Sequence, residues 1–144
     1  MQPRFNYTEA NPAAFKAMMA LETFAKNSGI EHGLYELIKM RASQINGCAF
    51  CIDMHAKDLL NRGESLDRLL LLTAWREVPL YTEKERAVLE LTECVTRISE
   101  GGVPDHVYKK VRAHFSEKEY VDLIMAINVI NGWNRISIST GMFP

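Results

Sequence analysis

The sequence has no excess of charge of either sign. Its 144 residues include 17 Lys and Arg and 18 Asp and Glu, which gives a formal net charge of −1. A chain without a basic excess has little general attraction for nucleic acid or for an anionic membrane. With 47% hydrophobic and 24% charged residues, the composition is that of an ordinary globular protein and not of a disordered or low-complexity chain. The length predicts one domain, over residues 1–144.

Cysteines and long apolar runs are also scarce. Three cysteines are too few, and odd in number, for the disulfide framework of a secreted domain. The longest apolar stretch, 121–133, is interrupted by Asp122, Asn128 and Asn131 and is far shorter than the roughly 18 apolar residues that indicate a membrane span. Residues 1–7 lack the apolar centre of a secretory signal peptide. We therefore expect a soluble, cytoplasmic protein.

Turn and capping signals divide the chain into helical lengths. Thr82 with Glu85, and Ser116 with Glu119, have the spacing of a capping box at a helix start. Glycines follow several apolar-periodic segments, where they are typical of helix ends. No alternating run indicates a strand, so we predict an all-α fold with about seven helices. The predicted helices span approximately 12–27, 31–45, 48–61, 65–74, 82–100, 104–113 and 116–137.

The last predicted helix is apolar nearly all round between 121 and 130. Such a helix lies either in the centre of a core or in a contact between subunits. Because a chain of 144 residues has little room to enclose a helix completely, we expect a homo-oligomer in which this helix forms part of the contact. A central helix of a monomer is the alternative.

A Cys-x-x-Cys pair, Cys48 and Cys51, follows Gly47 at the predicted start of the third helix. The free N–H groups and the dipole of a helix start stabilise an anion and lower the pKa of a thiol. His55 lies four residues after Cys51 and therefore on the same helix face. An imidazole one turn from a thiol can accept its proton or stabilise the thiolate. We interpret this cluster as a nucleophilic thiol site, with Glu36 as a candidate carboxylate to orient the imidazole.

Other interpretations of these residues stay open at this point. A zinc site needs further ligands, and Cys94, His106 and His114 do not show a matching spacing. A purely structural role makes the paired cysteines small buried hydrophobes and the nearby histidine a core residue. Glu36, taken alone, is most simply a solvated carboxylate paired with Lys39. A thioredoxin-like fold is excluded, because the cysteine pair does not follow a strand of a βαβ unit.

The pattern of Glu36, Cys48-x-x-Cys51 and His55 resembles the signature of the AhpD-like alkylhydroperoxidases, which belong to the carboxymuconolactone decarboxylase superfamily. The resemblance extends to Asn-Gly-Trp-Asn-Arg at 131–135, which is similar to the closing helix of that family. It implies that the single domain has the AhpD-like helical fold and assembles as a homo-oligomer, often a trimer or hexamer. The true decarboxylases lack the cysteine pair, so the resemblance is to the peroxidase branch.

The same resemblance implies a peroxidase and disulfide reductase that needs no metal and no bound cofactor. Cys51, the cysteine nearer the histidine, is implied to attack a hydroperoxide, and Cys48 to resolve the product as a disulfide. His55 and Glu36 are implied to form a proton relay, and an external dithiol, such as a lipoyl-type group, to reduce the disulfide. The best-known members carry a histidine where this chain has Phe50, which would give the pocket a more apolar wall.

The chemistry of a helix start favours the opposite order of the two cysteines. The first cysteine of such a pair usually lies closer to the dipole and to solvent, so Cys48 would be the more acidic thiol. We nevertheless assign peroxide attack to Cys51 and exchange with the reductant to Cys48. The alternative function is a thiol–disulfide reductase or redox sensor that acts on a protein partner without peroxidase turnover.

Overall fold

The computed structural model describes residues 2–144 and confirms the all-α prediction, since these residues contain no strand. Each of the seven predicted segments contains an α-helix, two of them are continued by a separate 3₁₀ helix, and a short helix precedes them all. None of the helices in the described residues is long and apolar enough to cross a lipid bilayer. In chain order the α-helices are α1 (Tyr7–Ala10), α2 (Pro12–Asn27), α3 (His32–Asn46), α4 (Ala49–Asn61), α5 (Leu66–Leu70), α6 (Glu83–Thr96), α7 (Asp105–Arg112) and α8 (Glu117–Thr140), and 3₁₀ helices span Leu72–Glu77 and Ile98–Glu100.

The helix ends follow from capping residues visible in the sequence. Thr82 and Ser116 both form complete capping boxes, in which the hydroxyl accepts from the N–H of the glutamate three residues later. Helix α3 ends at Gly47, whose φ of 69° is a left-handed conformation that residues with a Cβ avoid. This glycine turns the chain directly into α4, which packs back against α3.

The helix predicted over 65–74 is interrupted in the structure. Helix α5 ends at Leu70, and the chain continues as the 3₁₀ helix Leu72–Glu77. The chain kinks at Ala74 within this segment, and Leu72 and Trp75, on either side of the kink, are both buried. The Trp75 indole N–H also donates to Glu93 at 2.9 Å. These tertiary contacts outweigh the local α-helical pattern.

Helix α8, the last in the sequence, lies at the centre of the fold and packs against α2, α3, α4 and α6. Ten of its residues are buried, and Leu123 and Ile127 are completely inaccessible. Burial within one chain accounts for much of the apolar pattern, but Val121 is 56% exposed. The assignment of this helix to a subunit contact therefore stays a prediction, as does the homo-oligomer itself.

Helix α3 is buried on all sides over residues 34–43. One apolar cluster joins it to α6, α7 and α8, and a second joins it to α4, α5 and the first 3₁₀ helix. Burial of apolar surface contributes roughly 25 cal/mol per Å² and is the main term that stabilises such packing. Because α3 is fixed from both sides, its charged residues Glu36, Lys39 and Arg41 are forced into the interior and must find partners there.

Candidate active site

The two cysteines of the Cys-x-x-Cys pair lie at the first turn of α4. Cys48 is the N-cap residue, and its Sγ accepts a hydrogen bond from the N–H of Cys51 at 3.4 Å. A disulfide joins them, with Cα atoms 5.3 Å apart, inside the usual range for such a bond. Both residues are buried, but Cys51 lines a cavity and Cys48 does not. The greater solvent contact expected for Cys48 is thus not observed.

His55 follows Cys51 by one turn of α4 and lines the same cavity. Its Nδ1 faces Oε2 of Glu36, on α3, at 3.3 Å. Both atoms are buried and have no other hydrogen-bond partner among the described residues, so a protonated imidazole and the carboxylate would attract each other strongly at this distance. The structure therefore brings Cys48, Cys51, His55 and Glu36 together.

Glu36 is almost completely buried and is held as an anion. Lys39 Nζ lies 3.2 Å from its Oε1, and His32 Nε2 lies 3.9 Å from the same oxygen. Burial alone would raise the pKa of Glu36, but the contact with His55 and the charge of Lys39 outweigh it and lower the pKa to about 2. The carboxylate does pair with Lys39, as the simplest interpretation of the sequence expected, but it is not solvated.

Two residues that the sequence analysis did not assign to the site, Glu22 and Trp133, complete the polar side of the cavity. Lys39 Nζ donates to Glu22 Oε1 at 3.1 Å, and the Trp133 indole N–H donates to Glu22 Oε2 at 3.2 Å. Contacts therefore run without a break from His55 on α4, through Glu36 and Lys39, to Trp133 on α8. Only the three-residue spacing of Glu36 and Lys39 is visible in the sequence, because the other partners are far apart along the chain.

The cavity beside Cys51 has a volume of about 270 Å³. Phe50 stands in its wall, as the sequence analysis expected. A larger cavity of about 460 Å³ lies elsewhere, near Trp75 and Lys110, and contains no cysteine, so it is remote from the redox chemistry. Apart from Glu22, Lys39, Cys51 and His55, the residues that line the smaller cavity are mostly apolar: Tyr7, Phe50, Met54, Trp133, Ser137 and Met142.

A cluster of amides holds the turn that precedes Cys48. The Asn46 side-chain N–H donates to Asn131 Oδ1 at 2.9 Å and to Asn134 Oδ1 at 3.0 Å. Asn134 in turn donates to Ser43 Oγ at 3.0 Å. Asn131 and Asn134 are both buried, where a polar group without a partner is costly. The cluster ties the end of α3 to α8 and so positions the first turn of α4.

The residues considered above as further zinc ligands lie on other elements. Cys94 is a free thiol on α6 that packs against the larger apolar cluster. His106, on α7, faces Glu90 at 3.8 Å, and His114 follows that helix. Within residues 2–144 there is no group of three or more His, Cys, Asp or Glu side chains that could hold a metal ion.

The fold and the cysteine pair define an AhpD-like helical protein. Residues 12–93 match the carboxymuconolactone decarboxylase family, and the chain belongs to that family. The resemblance drawn from Glu36, Cys48, Cys51 and His55 is thereby confirmed at the level of the family.

Similar proteins support the same assignment. YdfG of Bacillus subtilis (strain 168), an uncharacterised protein, is 49% identical over 141 residues, which are 98% of this chain and 96% of YdfG. A crystal structure from Agrobacterium tumefaciens, of a protein of unknown function described as a candidate antioxidant defence protein AhpD, is 49% identical, with a TM-score of 0.95 and coverage of 99% of both chains. Alkyl hydroperoxide reductase AhpD of Rhodospirillum centenum is 35% identical over 43 residues, which are 30% of this chain and 23% of that protein.

Proposed function

We propose that the protein is a cysteine peroxidase that reduces hydroperoxides with the Cys48–Cys51 pair. The observation that carries this proposal is the cavity in which Cys51 and His55 meet, with the Glu36 carboxylate behind the imidazole. The thiolate is the nucleophilic form of cysteine, and an adjacent imidazole held by a carboxylate is suited to remove the thiol proton. Membership of the AhpD-like family supports the same chemistry.

In the first step the imidazole of His55 takes the proton of the Cys51 thiol, and Glu36 stabilises the imidazolium. The thiolate attacks the terminal oxygen of the hydroperoxide, so that a sulfur–oxygen bond forms while the oxygen–oxygen bond breaks. The departing alkoxide takes the proton from the imidazolium and leaves as an alcohol. The sulfur of Cys51 loses two electrons and becomes a sulfenic acid, and the peroxide gains those two electrons.

In the second step Cys48 attacks the sulfur of Cys51, and the sulfenic oxygen leaves as water with the proton of the Cys48 thiol. The product is the disulfide seen in the structure. An external dithiol, of which a lipoyl-type group is one kind, then reduces this disulfide through a mixed disulfide and is itself oxidised. Because only Cys51 of the pair lines the cavity, a dithiol that enters there meets Cys51 first, which favours Cys51 over Cys48 for this exchange as well.

Single cysteine variants test the proposal. Cys51→Ser should abolish peroxide consumption, whereas Cys48→Ser, oxidised without a dithiol, should stop after one oxidation with a sulfenic acid on Cys51. The measurements are peroxide consumption in the presence of a dithiol, and trapping of the sulfenic acid with dimedone followed by mass spectrometry. An adduct on Cys48 in the Cys51→Ser variant, with none on Cys51 in the Cys48→Ser variant, would reverse the two roles.

A thiol–disulfide reductase or redox sensor is the second candidate function. It is favoured by Phe50, which supplies no proton donor where the best-known AhpD-like proteins carry a histidine. Stopped-flow oxidation of the reduced wild-type protein by several hydroperoxides separates the two functions. Reversible oxidation of Cys48 and Cys51 by a disulfide, without reaction with any hydroperoxide, would support the reductase, and Phe50→His should then increase the peroxide reaction.

We also propose that the protein assembles as a homo-oligomer, a trimer or a hexamer, in the cytoplasm. Large apolar side chains are exposed on α2 and around α5, and burial of such a surface would stabilise a contact between subunits. Light scattering at micromolar concentration measures the assembly, and a particle of 16.4 kDa would contradict it. The exposed side chains are Met19, Leu21, Phe24, Leu66, Leu70 and Leu71.

A further inference from the structure

Lys39 contacts Glu36, the carboxylate that faces His55, and has no role in the proposed peroxidase steps. We infer that Lys39 is a positioning residue that keeps Glu36 ionised throughout turnover, so that Glu36 acts as a fixed counter-ion for the imidazolium of His55 and does not itself carry the proton. This inference rests on the proposed function in so far as His55 is taken to accept the thiol proton.

The position of Lys39 is fixed by contacts on three sides. Its ammonium lies 3.2 Å from the carboxylate of Glu36 on α3 and 3.1 Å from that of Glu22 on α2. It also lies over the ring of Tyr35, 3.9 Å from the centroid. The lysine side chain is only 10% exposed. A buried ammonium that contacts two carboxylates and an aromatic face is held in one place, because each contact compensates for lost hydration.

The charges around Glu36 show what this lysine contributes. His55 of α4 faces Glu36 directly, and Glu22 of α2 contacts the lysine that pairs with Glu36. The other titratable groups near Glu36 belong to α3 and are His32, Tyr35 and Lys39. While the imidazole is neutral, the carboxylates of Glu22 and Glu36 face the single ammonium of Lys39, so this cluster has an excess negative charge. When His55 accepts the thiol proton, this excess is neutralised, so transfer of the proton to the imidazole is favoured.

Loss of the lysine would change which group holds the proton. The carboxylates of Glu22 and Glu36 would then share one buried region without a cation between them. Two close carboxylates cannot both ionise freely, so one of them binds a proton. If Glu36 binds it, His55 loses its counter-ion and the thiolate of Cys51 becomes harder to form.

The burial and contacts of Glu36 also argue against a role as proton carrier. Burial by itself raises the pKa of Glu36, but His55 and Lys39 together bring the pKa down to about 2. At neutral pH a carboxyl whose pKa lies this far below its usual range is almost entirely ionised. A group that rarely binds a proton stabilises the imidazolium by charge and does not pass the proton onward.

The test measures the pH dependence of Cys51 alkylation by iodoacetamide in the reduced protein, in a Cys48→Ser background. Lys39→Met should move the midpoint of this profile upward by about one pH unit or more and slow alkylation below it by about tenfold. Lys39→Arg should restore the midpoint, because it keeps the positive charge. Glu22→Gln is the matched control, since it changes the other carboxylate partner of Lys39 and leaves Glu36 its cation; its midpoint should move less than that of Lys39→Met.

A titration of Glu36 in the wild-type protein gives a second measurement that does not depend on whether a variant folds. Isotope-edited NMR of the carboxyl carbon, assigned with Glu36→Gln, should show an ionised Glu36 down to about pH 3. A Glu36 carboxyl that titrates above pH 5, or an unshifted alkylation midpoint in a folded Lys39→Met variant, would overturn the inference. Because neither measurement uses peroxide, a shifted midpoint without peroxide turnover would contradict only the proposed peroxidase activity.

Discussion

Two carboxylates form ion pairs with residues of α3, and they differ in what surrounds them: Glu36 is buried, and the Glu93 side chain is 12% exposed. Glu36, on α3, contacts Lys39 and His55, both of which line the cavity. Glu93, on α6, contacts Arg41 of α3. Burial would raise the pKa of each carboxyl, yet the pKa of each is lowered by its partners. Similar electrostatic stabilisation therefore occurs at two places, of which only one adjoins the cysteine pair.

The partners of Glu93 are permanent donors. Arg41 contacts its Oε1 at 3.0 Å, Trp75 donates to the same oxygen at 2.9 Å, and Arg76 donates to Oε2 at 2.8 Å. In contrast, Oε2 of Glu36 lies 3.3 Å from the imidazole of His55 and has no hydrogen-bond partner among residues 2–144; the proposed reaction changes the charge of that imidazole. A carboxylate with permanent donors on both oxygens holds the fold together, whereas one with an oxygen left for a titratable partner can support chemistry.

The largest effect is expected from His55→Ala. Positioned acid–base help typically contributes 10²–10⁴-fold, so peroxide reduction should slow by about that factor. Arg76→Ala is the control at the other carboxylate, because Arg76 contacts Glu93 and is half exposed; it should leave the rate unchanged. Stopped-flow oxidation of the reduced variants measures both. A wild-type rate in His55→Ala would remove the imidazole from the mechanism and with it the distinction between the two carboxylates.

The second prediction replaces each of the two carboxylates, Glu93 and Glu36, by an amide in a separate variant. Glu93→Gln leaves the buried guanidinium of Arg41 without its anion, and removal of one partner of a buried pair costs about 3–5 kcal/mol of unfolding free energy. At a urea-free condition where Glu93→Gln is folded, this variant should consume peroxide at the wild-type rate. Glu36→Gln should instead slow turnover, although less than His55→Ala, because the imidazole is still present. Urea unfolding and peroxide consumption, measured on both variants, test this; equal losses of turnover would contradict the comparison.

Much of the fold could be predicted because the signals are local. The capping boxes at Thr82 and Ser116 each involve residues three apart, and the left-handed turn at Gly47 needs a single residue. The prediction was wrong where distant contacts decide the structure. The helix predicted over 65–74 ends at Leu70, and a 3₁₀ helix that buries Trp75 follows it.

The candidate site shows the same limit. The helical spacing of Cys51 and His55 predicts that they share a face of α4, and the structure places both at one cavity. Glu36 could be assigned only through the resemblance to a family, because nothing local distinguishes it from a solvated carboxylate. Glu22 and Trp133 meet across α2 and α8, which the sequence separates by more than a hundred residues. No periodic pattern indicates such a contact.

The third prediction concerns acid stability. The pKa of Glu36 is lowered in the folded state from 4.5 to about 2. Its contribution to stability is therefore present above about pH 4.5 and is lost as the pH falls toward 2, and it amounts to at most about 3 kcal/mol. Glu36→Gln should make the unfolding free energy less dependent on pH in this range. Urea unfolding between pH 5 and pH 2.5 tests the prediction, and an unchanged slope in the variant would show that the carboxylate is not stabilised as its contacts indicate.

The smallest effect is expected at an exposed carboxylate on the same helix as His55. Asp53 Oδ2 pairs with Lys57 Nζ at 2.7 Å, and both side chains are in contact with solvent. Exposed pairs four residues apart on a helix contribute about 0.3–0.5 kcal/mol, because water screens the charges and two flexible side chains must be ordered. Asp53→Asn should therefore lower the unfolding free energy by no more than about 0.5 kcal/mol. It should leave peroxide turnover unchanged, although Asp53 lies between Cys51 and His55 in the sequence. A loss of turnover comparable to that of Glu36→Gln would mean that charge near α4, and not the buried contact with the imidazole, activates the thiol.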